Sequence, residues 1–196
     1  TDHNEFLVVF VRGTGDAADI YGRIVYNAGG GGLAPSAQPI DASTDAQEEP
    51  AVAAYRLNAT TPYLVVFTDR WNDLPGDIRG YLCYVDGTPQ SLVSVATESG
   101  RQEMMPAISS SEPVGYTVAW QQHDPDTSDF DIYARRVDPA GAVQPSFEVS
   151  EGQRALLSGH NEAMPAVAGG SPLALVAWHE EAPDVGIDWD VYARFL

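Results

Sequence analysis

The sequence has no lysine and an excess of acidic residues. Its ten basic residues are all arginine, and with 28 acidic residues the 196-residue chain carries a formal net charge of −18. Binding of nucleic acid depends on basic side chains that neutralise phosphates, and anionic membrane surfaces also attract cationic proteins. The charge balance therefore argues against nucleic acid and anionic membranes as partners.

Cysteine and long apolar runs are also scarce. Cys83 is the single cysteine, which excludes an intramolecular disulfide. No apolar run approaches the length of a membrane span, so membrane insertion is not expected. No segment has the apolar periodicity of an amphipathic helix. The sequence also contains no Gly-x-Ser-x-Gly elbow, zinc-binding helix or Walker loop, so no known catalytic motif indicates an activity.

The chain does contain a fourfold repeat. An apolar run that ends in an aromatic residue occurs at 6–10, 63–67, 116–120 and 173–178. Each run is followed by an element that begins with aspartate, namely Asp19, Asp77, Asp131 and Asp190, spaced 54 to 59 residues apart. Self-similarity at such a period is typical of repeat architectures.

Two further elements complete the repeat unit. A Pro-Ala segment precedes the apolar run at 50–53, 106–109 and 165–168, and another short segment follows the aspartate element at 39–41, 92–95 and 147–150. All are rich in β-branched or small residues and bounded by turn residues, which predicts strands. In chain order we name them strands A, B, C and D. The first repeat has no strand A before residue 6, and the last ends without a strand D.

The pattern of strand B predicts stacked sheets. Its residues are apolar at successive positions, so both faces of the strand must be covered. We therefore predict an all-β fold, a β-propeller-like array of four blades of roughly 55 residues and four strands, with incomplete first and last blades. The array forms a single domain over 1–196, with approximate blades at 1–45, 46–100, 101–158 and 159–196.

Strand C combines tyrosine and arginine around a small residue. Tyr21 and Arg23 flank Gly22, whereas the second repeat has the reverse order, Arg79 and Tyr81. Preserved composition with exchanged order predicts an arginine stacked on the tyrosine along the strand.

Three segments of the repeat carry a similarity to a known family: Pro-Ala-Val-Ala at 50–53, Leu-Val-Val-Phe at 64–67 and Asp-Ile-Tyr-Ala-Arg-Arg-Val at 131–137. With these segments the repeat resembles the TolB-like, or PD40-type, propeller repeats of bacterial envelope and secreted proteins. The resemblance implies four-stranded blades with strand A innermost and an extracellular or envelope location. It implies no single activity, because propellers support many functions.

The loops at one face supply the candidate ligand site. Residues just after strand B and just before strand A are expected to converge near the propeller axis. They differ between repeats, as a binding site requires, and they predict an acidic funnel for a cation or a sugar; a solvated rim is the alternative. The candidates are Arg12, Asp69, Gln122, Glu180, Gln47, Glu103 and Glu162.

Calcium is the one cofactor that the sequence suggests, and no motif requires any. Clustered carboxylates suit calcium, and the gap between the third B and C strands offers Asp124, Asp126 and Asp129. Aspartate is equally typical of turns, where its side chain forms hydrogen bonds with nearby backbone.

Cys83 aligns with Val25, Val137 and Leu196, which predicts a buried, unreactive thiol.

Three functions remain open from the sequence. A regular scaffold with variable polar loops favours a non-catalytic binding or scaffold module of an extracellular or envelope protein that recognises a protein or a glycan. The second is a structural subunit that self-associates by strand pairing at its incomplete end blades. The third is a propeller glycoside hydrolase that uses the funnel carboxylates.

Overall fold

Four antiparallel sheets make up the computed structural model. It describes residues 5–26, 32–34, 36–58, 60, 62–70, 76–123, 125, 129–150, 161–170, 172–181 and 189–196. Within these ranges the only helical element is a single 3₁₀ turn at Gly15–Ala17, and no helix there is long and apolar enough to cross a membrane.

Each sheet corresponds to one repeat. Blade 1 contains β1 (Glu5–Arg12), β2 (Asp19–Tyr26), β3 (Gly32–Leu33) and β4 (Gln38–Asp41). Blade 2 contains β5 (Ala46–Ala54), β6 (Tyr63–Arg70), β7 (Asp77–Cys83) and β8 (Pro89–Ala96). Blade 3 contains β9 (Gln102–Ser111), β10 (Gly115–His123), β11 (Phe130–Val137) and β12 (Phe147–Glu148). Blade 4 contains β13 (Asn161–Gly169), β14 (Ala174–Glu181) and β15 (Trp189–Phe195).

The strand order confirms the predicted blades. Blades 2 and 3 pair in the order A-B-C-D, as β5-β6-β7-β8 and β9-β10-β11-β12. In blade 1, β1 and β2 are strands B and C, and blade 4 stops at strand C. Among the described residues the first sheet therefore has no strand A and the last has no strand D. Strands A of successive blades contact one another, as expected for the inner strands of a propeller.

Three apolar clusters fill the spaces between successive blades. Each blade has a front face toward the preceding blade and a rear face toward the following one. Between blades 1 and 2, for example, Leu7 and Ile20 of the rear face pack in one cluster with Val65 and Phe67 of the front face. Equivalent clusters lie between blades 2 and 3 and between blades 3 and 4. Burial of both faces of strand B explains its unbroken apolar sequence.

The predicted stacking of arginine on tyrosine in strand C is wrong for the described residues. Each strand C tyrosine stacks instead on the last aromatic residue of strand B, with ring centroids 6.1 to 6.4 Å apart. The arginines turn to other partners: Arg23 donates to Ala34 O, while Arg135 and Arg194 donate to Val95 O and Val149 O of the preceding blade. Two aromatic faces bury more apolar surface than a guanidinium does, and stacking adds about 0.5–1.5 kcal/mol per pair.

Every strand A contains a bulge in front of its proline. The pairing of β5 with β6 shifts between Glu48 and Ala51, and β9 and β13 shift at the equivalent place. The extra residue has left-handed backbone, with φ of 54° at Glu49, Met105 and Met164. Such bulges redirect side chains and commonly lie beside functional sites.

Cys83 is fully buried in the cluster between blades 1 and 2, which confirms its predicted core position. Burial raises the pKa of its thiol to about 12, and the thiolate is the reactive form. We expect a thiol reagent such as an aromatic disulfide to leave the native protein unlabelled and to label one equivalent after denaturation. Fast stoichiometric labelling of native protein would contradict this placement.

Candidate functional site

Polar residues form cross-strand pairs where strand B ends and strand A begins, which we call the upper end of the blades. The pairs lie directly opposite each other in blades 2, 3 and 4, as Gln47 with Asp69, Glu103 with Gln122, and Glu162 with Glu180. Residues that are opposite in an antiparallel pair share a face. Register places all three pairs on front faces, so the structure brings the predicted residues to equivalent positions.

Burial separates six of these residues from the seventh. The three pairs of blades 2 to 4 are buried, and Gln47 and Glu103 have no exposed surface at all. Arg12 is exposed, and its guanidinium carbon lies 5.3 Å from the centre of the Tyr21 ring. The six therefore lie between neighbouring sheets rather than on an open wall, and their role in binding a ligand stays a prediction.

The pair of blade 2 contains a buried carboxyl group that is paired with an arginine. Arg79 Nη1 lies 2.9 Å from Asp69 Oδ2, and Gln47 Nε2 lies 3.4 Å from Asp69 Oδ1. Burial raises the pKa of Asp69, while the Arg79 charge and the Gln47 hydrogen bond oppose the rise. Arg79 reaches this carboxylate because of the exchanged order in strand C. It lies opposite Phe67, the position that tyrosine occupies in the other blades.

Glu103 of blade 3 is a neutral acid at neutral pH. Burial raises its pKa to about 8, and the charges of Asp77 and Glu98 add to the effect. Its Oε1 accepts a hydrogen bond from Glu98 N at 3.3 Å, and its own N–H donates to Gly76 O at 2.8 Å. Its Oε2 is buried without a hydrogen-bond partner among the described residues. Full burial makes Glu103 inaccessible to a polymer.

Glu162 of blade 4 is a neutral acid within a cluster of three carboxyl groups. Burial raises its pKa to about 8, and the nearby charges of Asp131 and Glu180 raise it further. The Glu162 carboxyl makes a side-chain hydrogen bond with Asp131, which also favours its protonated form. The cluster joins strand C of blade 3 with strands A and B of blade 4. Glu162 is 9% exposed, whereas Glu103 is fully buried. The Glu162 Oε2, like the Glu103 Oε2, is buried without a hydrogen-bond partner among the described residues.

The bulge residue Glu49 also belongs to this end of the molecule. Its Oε2 accepts hydrogen bonds from Thr68 Oγ1 and from Met105 N, both at 2.8 Å. The carboxylate thus links the bulge of blade 2 to that of blade 3. Sequence reasoning missed Glu49, although the residue before the proline of each strand A was the available signal.

The metal prediction falls mostly outside the described residues. Asp124 and Asp126 lie there, while Asp129 is described and partly exposed. In the part of the chain that the structure describes, no group of three or more histidine, cysteine, aspartate or glutamate residues could hold a metal ion. Calcium binding by the loop at 124–129 stays a prediction.

Comparison with known proteins places the fold. No protein-family model and no curated protein matches the sequence. Among solved structures, an endo-arabinase from Bacteroides thetaiotaomicron aligns over 98% of this chain and 70% of its own, with a TM-score of 0.59 and 13% identity. A GH43 endo-arabinanase from Bacillus licheniformis aligns over the same shares, with a TM-score of 0.52 and 10% identity.

These two structures are β-propeller glycoside hydrolases. At such low identity the likeness establishes a shared fold, and the chain is all-β with propeller-like blades. The resemblance to TolB-like repeats at the level of the family stays a prediction.

Proposed function

We propose that the chain is a glycoside hydrolase of the propeller type, with Glu162 as its general acid. The observation that carries the proposal is the grouping of Glu162 with Asp131 and its cross-strand neighbour Glu180, in which burial and the neighbouring charges raise the pKa of Glu162 to about 8. Glycoside hydrolysis requires one carboxylic acid that donates a proton and a second carboxylate that activates water or attacks the sugar. Environments that separate the pKa values of neighbouring carboxyl groups assign these two roles.

The proposed reaction follows from this arrangement. Glu162 donates its proton to the glycosidic oxygen as the bond from that oxygen to the anomeric carbon breaks. Glu180, the cross-strand neighbour of Glu162, takes a proton from a water molecule whose oxygen bonds to the anomeric carbon as the glycosidic oxygen leaves with the proton from Glu162. Asp131 accepts a hydrogen bond from Glu162 and is a positioning residue, since it keeps the proton on the acid before the substrate arrives.

Arabinan is the first substrate to test, because the two similar propellers are named endo-arabinases. Such a substrate fits the proposed extracellular or envelope location, where polysaccharides are found. We expect reducing ends to be released from arabinan or from another member of a plant and bacterial polysaccharide panel. Glu162→Gln should reduce the rate by about 100-fold or more, as loss of a general acid does.

Glu103→Gln is the matched control for this experiment. It removes the other buried neutral acid, in the neighbouring interface, without touching the proposed catalytic cluster. We expect it to retain activity. Absence of hydrolysis by the wild-type protein on the whole panel, or equal losses in the two variants, would overturn the assignment.

A non-catalytic binding module is the second candidate, and the burial of the carboxyl cluster favours it. Glu162 and Glu180 are 9% and 3% exposed, and a binding protein needs no access to them. Such a module would bind polysaccharide without releasing reducing ends. Affinity electrophoresis with the same panel distinguishes the two candidates, since binding without hydrolysis supports only the module.

A further inference from the structure

The front face of blade 1 exposes residues that are buried in every other blade. Phe6, Val8 and Phe10 of β1 are 58%, 48% and 37% exposed. Their equivalents are buried in all three following blades: Tyr63, Val65 and Phe67; Tyr116, Val118 and Trp120; Ala174, Val176 and Trp178. Phe10 nevertheless keeps the stack on Tyr21 that the buried faces have. Blade 1 thus carries a complete front face with no blade packed against it among the described residues.

The rear face of blade 4 is uncovered in the same way. Val191 of β15 is 71% exposed, whereas its equivalents Ile20, Ile78 and Ile132 are fully buried. Phe195, farther along the same face, is 69% exposed. Ala193 lies between them, at the position of the small residue in the other blades. Neighbouring exposed apolar residues that are buried in every equivalent position indicate an interaction surface.

These two faces correspond to the two halves of an interior interface. In each of the three interior interfaces, the rear face of one blade packs against the front face of the next. The only front and rear faces without a described partner lie at opposite ends of this same chain. We propose that they bind each other between two copies of the chain, head to tail, with blade 4 of one copy against blade 1 of its partner.

Charge at the upper end agrees with this pairing. Blades 2, 3 and 4 have Asp69, Gln122 and Glu180 where blade 1 has Arg12. The equivalents of Asp190, the first aspartate of the last strand C, raise the pKa of a glutamate of the following blade: Asp77 acts on Glu103, and Asp131 on Glu162. In the proposed contact, Asp190 of one copy would lie at the same end of the interface as Arg12 of the partner copy, whose blade 1 has no strand A glutamate there among the described residues. The interface between copies would therefore bring opposite charges together at this end.

A head-to-tail interface uses two different surfaces of each copy. It therefore leads to a closed ring or to a growing filament rather than to a symmetric dimer. This association does not depend on the proposed hydrolase activity, and neither Val8 nor Val191 belongs to the carboxyl cluster.

Sedimentation velocity at micromolar concentration tests the proposal. We expect wild-type protein to sediment as oligomers. Val8→Asp on the front face and Val191→Asp on the rear face should each yield monomers, because a buried unpaired charge opposes packing. Both positions are exposed within one copy, so folding is preserved, and circular dichroism checks this. Leu92→Asp is the matched control: Leu92 is 51% exposed on strand D of blade 2, and its replacement should leave the oligomer intact.

Mixing the two monomeric variants gives the sharper result. Val8→Asp retains an intact rear face and Val191→Asp an intact front face, so together they should form a one-to-one dimer that cannot grow. Monomeric wild-type protein overturns the proposal. So does a mixture that stays monomeric, or a Leu92→Asp variant that dissociates as the face variants do.

Discussion

The protein is expected to lose stability as pH rises from about 5 to about 9, and Glu103→Gln or Glu162→Gln should each remove part of that loss. Burial raises the pKa of both carboxyl groups from 4.5 to about 8 in the folded protein. The unfolded chain releases these protons near the ordinary value, so folding is favoured where both states are protonated. The contribution is fully present below about pH 4.5 and is lost as pH rises through about 8.

The expected size follows from the shift. Each pKa unit corresponds to about 1.4 kcal/mol, so each group contributes on the order of 3–5 kcal/mol across this range. Chemical denaturation at a series of pH values measures the free energy of unfolding. We expect both glutamine variants to be more stable than wild type at alkaline pH and close to wild type at acidic pH.

Gln47 provides the reciprocal control. It occupies in blade 2 the position of Glu103 and Glu162, with a side chain of nearly the same shape as protonated glutamate. Gln47→Glu should therefore steepen the loss of stability with pH and leave acidic stability nearly unchanged. Parallel pH profiles for wild type and all three variants would show that these side chains are solvated in the folded protein.

Arg79→Met is expected to destabilise the protein by about 2–3 kcal/mol at neutral pH. The variant leaves the buried Asp69 carboxylate without its cation, at a site where burial already raises the Asp69 pKa. Loss of one partner from a fully buried pair costs more, and the value is reduced here because the Arg79 side chain is 36% exposed. The loss should shrink on acidification, since protonated Asp69 no longer needs the guanidinium.

Arg70→Met is the control for this prediction. Arg70 pairs with Glu48 at 3.2 Å, and both side chains are more than a third exposed. We expect a change below about 1 kcal/mol, as for other surface ion pairs. Adding Asp69→Asn to Arg79→Met should recover part of the lost stability. Equal effects of the Arg79 and Arg70 variants would contradict the burial of the Asp69 pair.

Local pattern was sufficient to predict the sheets. The alternation of apolar runs with turn residues determines strands by itself, and the count of segments predicted that blades 1 and 4 are incomplete. The bulges could not be predicted from the sequence pattern, because the residue in left-handed backbone is usually glycine. Here it occurs at Glu49, Met105 and Met164.

The polar residues of the upper end were found by sequence, but their surroundings were not. Position in the repeat identified Glu103 and Glu162, whereas their raised pKa depends first on burial between blades and then on the charges of nearby carboxylates. The sequence shows the exchanged order of Arg79 and Tyr81. That Arg79 pairs with Asp69 follows only from the register of β6 against β7. Contacts between blades join residues that are far apart in sequence, so the distances between those residues cannot be predicted from the repeat pattern alone.

The bulge of strand A changes the phase of its side chains. Gln47 and Val52 are five residues apart, yet register places both on the front face, and the same holds for Glu103 with Ile108 and for Glu162 with Val167. In a regular strand residues an odd number apart lie on opposite faces. Deletion of the bulge residue would therefore move the polar side chain from the front face of its blade to the rear face. The side chain would then enter the interface with the following blade, while the apolar contacts of the rest of strand A would stay in place.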